Sequence, residues 1–275
     1  MEDTIATFYC LCDDLLRALD YHDDPQSTFS SAQVMTVPLV AARYFAGKIE
    51  WARLFLIEHG YFTQSLSQSR LNRRLHALPE QLWHTLFEML AQVFHQHNPG
   101  GDYVIDSLPI PACDNIRIRR CKLLRGEEHR GYTASKRRFF WGLKVHLVVT
   151  GSGWPIEFVL TPGSTADVSA LKMVELLLPE GATLHGDRAY NDYQEEDLLQ
   201  EAAAITLQPH RKKNSKRPVP LSLQFRAQPI RQRVETTFSQ ITRLLPRHLN
   251  AVTKKGFVLK INCFLLVVAF QCLNG

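Results

Sequence analysis

Residues 103–110 read YVIDSLPI, a short apolar run bounded by turn-forming residues and broken near its middle by one carboxylate. Its length and composition are those of a strand. An ionised Asp106 among apolar neighbours is costly unless something positive compensates it, although a carboxylate hydrogen-bonded to nearby backbone would satisfy the same position. Just upstream, HNPGGD at 97–102 is a Pro/Gly break that separates two kinds of pattern. After the break, FFWGLKVHLVVT (139–150) and IEFVLT (156–161) continue as strands, with GSGWP between them as a hairpin connection. ADVSALKMVELLL then reads as a helix, TLHGD as a fourth strand, Asp192 to Ala202 as a short helix and AAITLQP as a further strand. From Pro229 the spacing is helical again, stopping at Pro246. Alternating strands and helices of this kind specify a mixed α/β domain over 99–275.

Before the break, residues 1–98 are helical throughout. Leu11, Leu15, Leu16 and Leu19, and again Leu82, Leu86, Phe87 and Leu90, recur at three- and four-residue steps. IEWARLFLIEHG stops at Gly60, and SLSQSRLNRRLHAL starts again with Ser67 as its cap, which suggests a helix-turn-helix. In the second helix Leu71, Leu75 and Leu78 share a face, leaving Arg70, Arg73 and Arg74 to point outward, either as a groove-reading surface or as a solvated basic face.

A composition of 45% hydrophobic and 21% charged residues excludes general disorder, so both segments can bury cores. Charge is unevenly placed. Residues 1–100 carry 7 Lys+Arg against 11 Asp+Glu, whereas 101–275 carry 25 against 16, so the second segment can attract a polyanion. Six cysteines without a C-x-x-C pair, and a start with no secretion-signal layout, imply reduced thiols in the cytoplasm. The apolar run from Phe257 to Leu273 is interrupted by Lys260 and Asn262 and reads as a buried closing helix, not a membrane span.

Two more carboxylates sit at informative places. Asp187 ends the fourth strand in HGDRAY, where strands of α/β sheets open onto active sites. Glu235 lies at the margin of the apolar face Ile230, Val234, Phe238, Ile241 and Leu245, where it could also pair with Arg231 four residues earlier. Acids brought from two strands and a helix form an oxygen-rich pocket suited to Mg²⁺ or Mn²⁺, and a pair of such ions acts on phosphodiesters. Without metal, one carboxyl of such a cluster would take up a proton.

The wording around these residues is VIDSLPIP, HGDRAY and IRQRVETTFS. It resembles the DDE transposases of bacterial insertion sequences. DSLPIPACDNIRIRRCK followed by FFWGLKVHLVVT is most similar to the insertion-sequence family numbered 982, and the likeness extends to SRLNRRLHAL. The resemblance implies an RNase H-like catalytic domain preceded by a helical DNA-binding domain. It puts the first Asp on the first strand, the second after the fourth, and the Glu on a later helix. It also implies Asp106, Asp187 and Glu235 as catalytic ligands of two Mg²⁺ ions, terminal inverted repeats and target DNA as partners, and a homodimer or larger assembly on DNA. A signature of neighbouring families places Tyr, Arg, Glu and Lys on the glutamate helix. Here only Arg231 and Glu235 fit it, since Gln228 and Thr242 hold the other two positions.

In that setting the basic residues Arg117, Arg119, Arg120, Lys136, Arg137, Arg138 and Lys144, with Lys212 and Lys213 in HRKKNSKR, become candidates for backbone phosphates. Arg231 joins them, either as a phosphate contact or as the ion-pair partner of Glu235. Tyr132, Phe139, Phe140 and Trp141 are assigned to strand packing. His146 and Lys144 share one side of their strand. Two other functions are compatible with these residues: a structure-specific nuclease, and a non-catalytic DNA-binding protein derived from a transposase.

Overall fold

The computed structural model describes residues 1–64, 66–113, 118, 120–133, 137–212 and 214–273. The chain divides into two compact units, Met1–Met89 with Ile241–Gly275, and Leu90–Gln240, the divisions falling inside two helices.

The first unit begins with α1 (Glu2–Ala18), α2 (Ser31–Tyr44), α3 (Ile49–Glu58), α4 (Gln68–Ala77) and the start of α5 (Gln81–Gln96). In α1 the buried residues Ile5, Phe8, Cys12, Leu15 and Leu16 follow the helical spacing of one face. Ser30 caps α2 reciprocally, its hydroxyl accepting from Gln33 N while the Gln33 side chain accepts from Ser30 N. In α4, Ser67 is the N-cap as expected, and Leu71 and Leu75 are buried. The turn expected between α3 and α4 takes a different form. Residues 59–67 connect the two helices, a longer path than the three- or four-residue turn of a helix-turn-helix.

Arg70 and Arg73 are exposed, but Arg74 does not point outward with them. Its guanidinium pairs with Asp23 at 2.9 Å, donates to Ser27 Oγ at 2.6 Å and to Ser31 Oγ at 3.3 Å, and also donates to the Phe29 carbonyl. Asp23 in turn accepts from Ser31 N at 2.8 Å, so one arginine ties α4 to the connection between α1 and α2. The four partners lie more than forty residues away in sequence, which is why local helical spacing read Arg74 as free.

The second unit contains β1 (Asp102–Cys113), β2 (Arg130–Thr133), β3 (Arg138–Thr150), β4 (Pro155–Pro162), α6 (Asp167–Leu171), β5 (Thr183–Gly186), α7 (Tyr193–Ala203), β6 (Thr206–Pro209) and most of α8 (Leu221–Leu244). β1 is antiparallel to β3 and parallel to β5, β6 is parallel to β5, and β4 is antiparallel to β3. The resulting order is β4-β3-β1-β5-β6, a mixed sheet with helices against it. β2, not expected from sequence, pairs with the first residues of β3 on the edge that β4 occupies further along. Two helices differ from expectation: α6 ends at Leu171, and α8 starts at Leu221 with Pro229 inside it on an exposed face.

The β3–β4 turn fastens α8 to this unit. Gly153 adopts φ +89° and donates its N–H to the Thr150 carbonyl at 2.8 Å. Its own carbonyl accepts from the Thr237 hydroxyl of α8 at 2.6 Å. A side chain at position 153 would meet Arg233 Cβ and the Arg233 carbonyl at 3.3 Å, so backbone conformation and space both demand glycine.

The chain ends with α9 (Lys254–Leu273), which belongs to the first unit. It is long and apolar enough to cross a membrane, but 72% of its apolar window is buried inside the structure, and Phe270 packs on Phe8 with ring centroids 4.9 Å apart. It is mostly buried and grouped with the N-terminal helices. Cys10, Cys12, Cys121, Cys263 and Cys272 are free thiols.

Two stability outcomes follow. Gly153→Ala is expected to lower the unfolding free energy by about 1–2 kcal/mol and Thr237→Val by about 1 kcal/mol in urea titrations, with a double variant less than additive because both act on one contact. Arg74→Ala is expected to cost about 1.5–3 kcal/mol, whereas Arg70→Ala and Arg73→Ala stay within about 0.5 kcal/mol of the parent. Equal effects at all three arginines would contradict the Asp23 network.

Candidate active site

Ile105 on β1 stands opposite Gly186 on β5, and the next residue on each strand is an aspartate. Parallel neighbours lie about 4.8 Å apart, so Asp106 and Asp187 start from adjacent backbone positions. There β5 ends. Asp187 caps a 3₁₀ turn, Arg188–Tyr190, and its Oδ1 accepts from Ala189 N at 2.7 Å. β1 runs on, with Asp106 opposite Leu147 of β3 and its Oδ1 accepting from Ser107 N at 2.7 Å. Each aspartate thus commits one oxygen to backbone.

Asp106, Asp187 and Glu235 line one cavity of ≈ 200 Å³, together with Gln228, Arg231 and Gln232 of α8. Val234 is buried beside it while Glu235 is exposed, which places the glutamate at the margin of the packed face. Burial pushes the Asp106 carboxyl up to about 6, aided by the charges of Asp187 and Asp167 and opposed by the Ser107 N–H and Arg231. Among the described residues Arg231 forms no ion pair with Glu235 or any other carboxylate, so its charge faces the cavity without a salt-bridge partner.

The neighbouring face of β3 is spoken for. His146 is fully buried, 3.0 Å from Thr161 Oγ1 and 3.2 Å from Tyr190 Oη, and burial pulls its pKa down to about 4, leaving it neutral. Lys144 shares its side, as strand alternation requires; its Nζ pairs with Asp167 at 3.0 Å and donates to the Thr165 carbonyl at 2.8 Å. His185 is buried, with Nε2 2.9 Å from Asp102 Oδ1.

Of the other basic candidates, Arg120, Arg137, Arg138 and Lys212 are exposed, and Arg117, Arg119, Lys136 and Lys213 lie outside the described residues. Phe140 and Trp141 pack as expected, whereas Tyr132 and Phe139 are exposed cross-strand neighbours with the Arg130 guanidinium 4.6 Å from the Phe139 ring centroid. Two residues near the cavity escaped the sequence reading, Arg188 and His210, joined by an Arg188 Nε to His210 Nδ1 hydrogen bond of 2.9 Å. The only signal for the first was its place beside Asp187 in HGDRAY.

Three carboxylates without sulfur or imidazole make a donor set that suits a hard divalent cation. Among the described residues, no three His, Cys, Asp or Glu side chains converge closely enough to hold one.

An acid-lined cavity at the C-terminal end of a parallel strand pair, in a mixed sheet flanked by helices, defines the class of α/β domain. The chain belongs to the family described as "Transposase DDE domain", which matches residues 96–246 and so includes Asp106, Asp187 and Glu235. No curated protein matches the chain. Among solved structures it is similar to a piggyBac transposase synaptic complex with hairpin DNA, with a TM-score of 0.48 and 13% sequence identity. That match covers 97% of this chain and 64% of the piggyBac chain, so this chain spans less than two thirds of that protein's length.

The Asp106 carboxyl links pH to stability. Between its ordinary value and about 6, the folded chain keeps a proton that the unfolded chain has released, so stability falls as pH rises through that window. In EDTA, Asp106→Asn is expected to be more stable than the parent above pH 6, by up to about 3 kcal/mol, with the difference closing near pH 4. Matching denaturation midpoints at every pH would show that the ionised carboxylate is well accommodated.

Proposed function

We propose that this protein is a transposase that cuts DNA at the ends of an insertion sequence, of the kind numbered 982, and joins the freed 3′-hydroxyls to target DNA. The observation that carries the reading is the pair Asp106 and Asp187, each the first residue beyond the Ile105–Gly186 register, sharing one cavity with Glu235 and Arg231. The mixed sheet, with Asp106 on β1, Asp187 just beyond β5 and Glu235 on α8, supports the reading of an RNase H-like catalytic domain.

Asp106, Asp187 and Glu235 are the residues that would hold two Mg²⁺ ions, for which Mn²⁺ can substitute. The uncommitted oxygens of the two aspartates and the exposed Glu235 would be the ligands, drawn together by the ions from the separated positions they take along one cavity. Divalent ions bound there would supply Lewis-acid chemistry for phosphodiester displacement. Arg231 contributes the fixed positive charge on the cavity wall, suited to a non-bridging phosphate oxygen at the cut. The charges of Asp187 and Asp167 disfavour a further anion beside Asp106, so a cation held by the acids would favour the approach of a phosphate.

The helical unit is assigned to the terminal inverted repeats, with Arg70 and Arg73 as exposed contacts. Arg120, Arg137, Arg138 and Lys212 are assigned to backbone phosphates. Two element ends must be held together for joining, so the working form is a homodimer or larger assembly on DNA.

The test uses purified protein, Mg²⁺, and a pre-cut duplex carrying the inverted repeat that flanks the reading frame. Joined products are expected, with Asp106→Ala, Asp187→Ala and Glu235→Ala each lowering strand transfer by at least about a hundredfold while DNA binding persists. Hydrolysis without joining would instead assign a nuclease. Unchanged function in all three variants would assign a non-catalytic DNA-binding protein.

A further inference from the structure

We infer a second, anion-binding subsite next to the carboxylate cavity, formed by Arg188, His210 and Lys212, that takes a backbone phosphate of the DNA strand adjoining the phosphate being cut. The inference rests on the transposase reading and extends it to residues outside the acid triad.

The segment HRKKNSKR at 210–217 divides by direction. Arg211 turns inward to Glu196 at 2.5 Å, with both side chains almost fully buried. Arg217 takes both Asp197 oxygens, at 2.7 and 2.8 Å. Both guanidiniums lie over the Tyr193 ring, about 5 Å from its centroid, and the Tyr193 hydroxyl sits 2.9 Å from Ser215 Oγ. These contacts pin the segment to α7 and leave His210 and Lys212 to face elsewhere.

His210 is placed by the sheet. Pro209 stands opposite Gly186, and His210 N donates to the Gly186 carbonyl at 2.9 Å, so His210 comes level with Asp187. Its Nδ1 accepts from Arg188 Nε, which leaves the ring proton on Nε2 as a donor. Arg188 makes no ion pair among the described residues.

A polar cavity of ≈ 320 Å³ is lined by Arg188, Asn191, His210, Lys212, Asn214 and Ser215 among others, and among the described residues no carboxylate lines it. Arg211 Nη1 donates to Asn191 Oδ1 at 3.1 Å, occupying the acceptor of that amide and leaving its N–H₂ as donor. Two cations and several neutral donors without an acid are the complement of a phosphate. The cavity also adjoins the active site through shared lining residues. His210 lines an intervening cavity of ≈ 360 Å³ with Gln228 and Arg231, and those two line the carboxylate cavity in turn. A strand laid in this run meets the three acids at one end and Arg188 with Lys212 at the other. Because the acids repel a polyanion, cations along the same path are what can hold the strand in place.

The experiment is a cycle between protein charge and DNA charge. Duplexes carrying the flanking inverted repeat are made with one neutral methylphosphonate at each successive position around the cut, and binding is read by anisotropy in EDTA. For the parent, neutralising one phosphate within a few nucleotides of the cut is expected to weaken binding on the order of tenfold. For Arg188→Gln/Lys212→Gln, that same neutralisation should have no further effect while other positions still respond, and the salt slope should fall by about 2. Both residues are exposed, and an unchanged thermal transition verifies the fold. Additive losses at every position would overturn the subsite, including the case in which inorganic phosphate alone binds at Arg188. The transposase reading fails separately, if the parent neither cuts nor joins DNA.

Discussion

The register line through Ile105, Gly186 and Pro209 is the constraint on which the functional half of this protein depends. Three parallel strands stand level there, and the next residue on each is Asp106, Asp187 or His210. A slip of one residue in any strand would send its side chain to the opposite face. The line is closed at its centre by Gly186, where a Cβ would come within 3.1 Å of Tyr190 Cβ because the 3₁₀ turn folds back over the strand end. Tyr190 then reaches His146 on β3, and His146 reaches Thr161 on β4, so the position of Asp187 is braced across the sheet.

Electrostatics divides the chain's cations into two populations. Arg74, Lys144, Arg211 and Arg217 are consumed by Asp23, Asp167, Glu196 and Asp197, holding connections and loops in place. Arg231 and Arg188 have no such carboxylate partner among the described residues, and both border the cavities around Asp187. The same kind of side chain therefore holds the fold together in one place and is left without a carboxylate in another. The difference lies in whether a carboxylate from a distant part of the chain reaches it.

That division explains what could and could not be read from sequence. The long strands were legible because β1, β3 and β4 bury runs of apolar residues between turn signals, and the acids stood out as charges at the ends or middles of those runs. β2 was not, since RGYT is short and needs Gly131, where a Cβ would meet the Phe140 ring at 2.3 Å. The start of α8 was displaced because Pro229 looks like a first-turn residue, while Leu221 to Gln228 show no strong apolar face. The fates of individual arginines and lysines were illegible for a different reason. Their partners are side chains far along the chain, and helix or strand periodicity contains no term for them.

The grouping of α9 with α1 and α2 has a consequence for how the protein is made. The whole sheet unit is synthesised between the first and last pieces of the helical unit, so Phe8 waits for Phe270 until the entire interval has left the ribosome. The sheet unit, contiguous over Leu90–Gln240, has no such delay. Until α9 arrives, the apolar faces of α1 and α2 lack their cover and are open to aggregation or chaperone capture. A copy of the gene shortened just after α8 would keep Asp106, Asp187 and Glu235 and still produce a chain whose helical half cannot close.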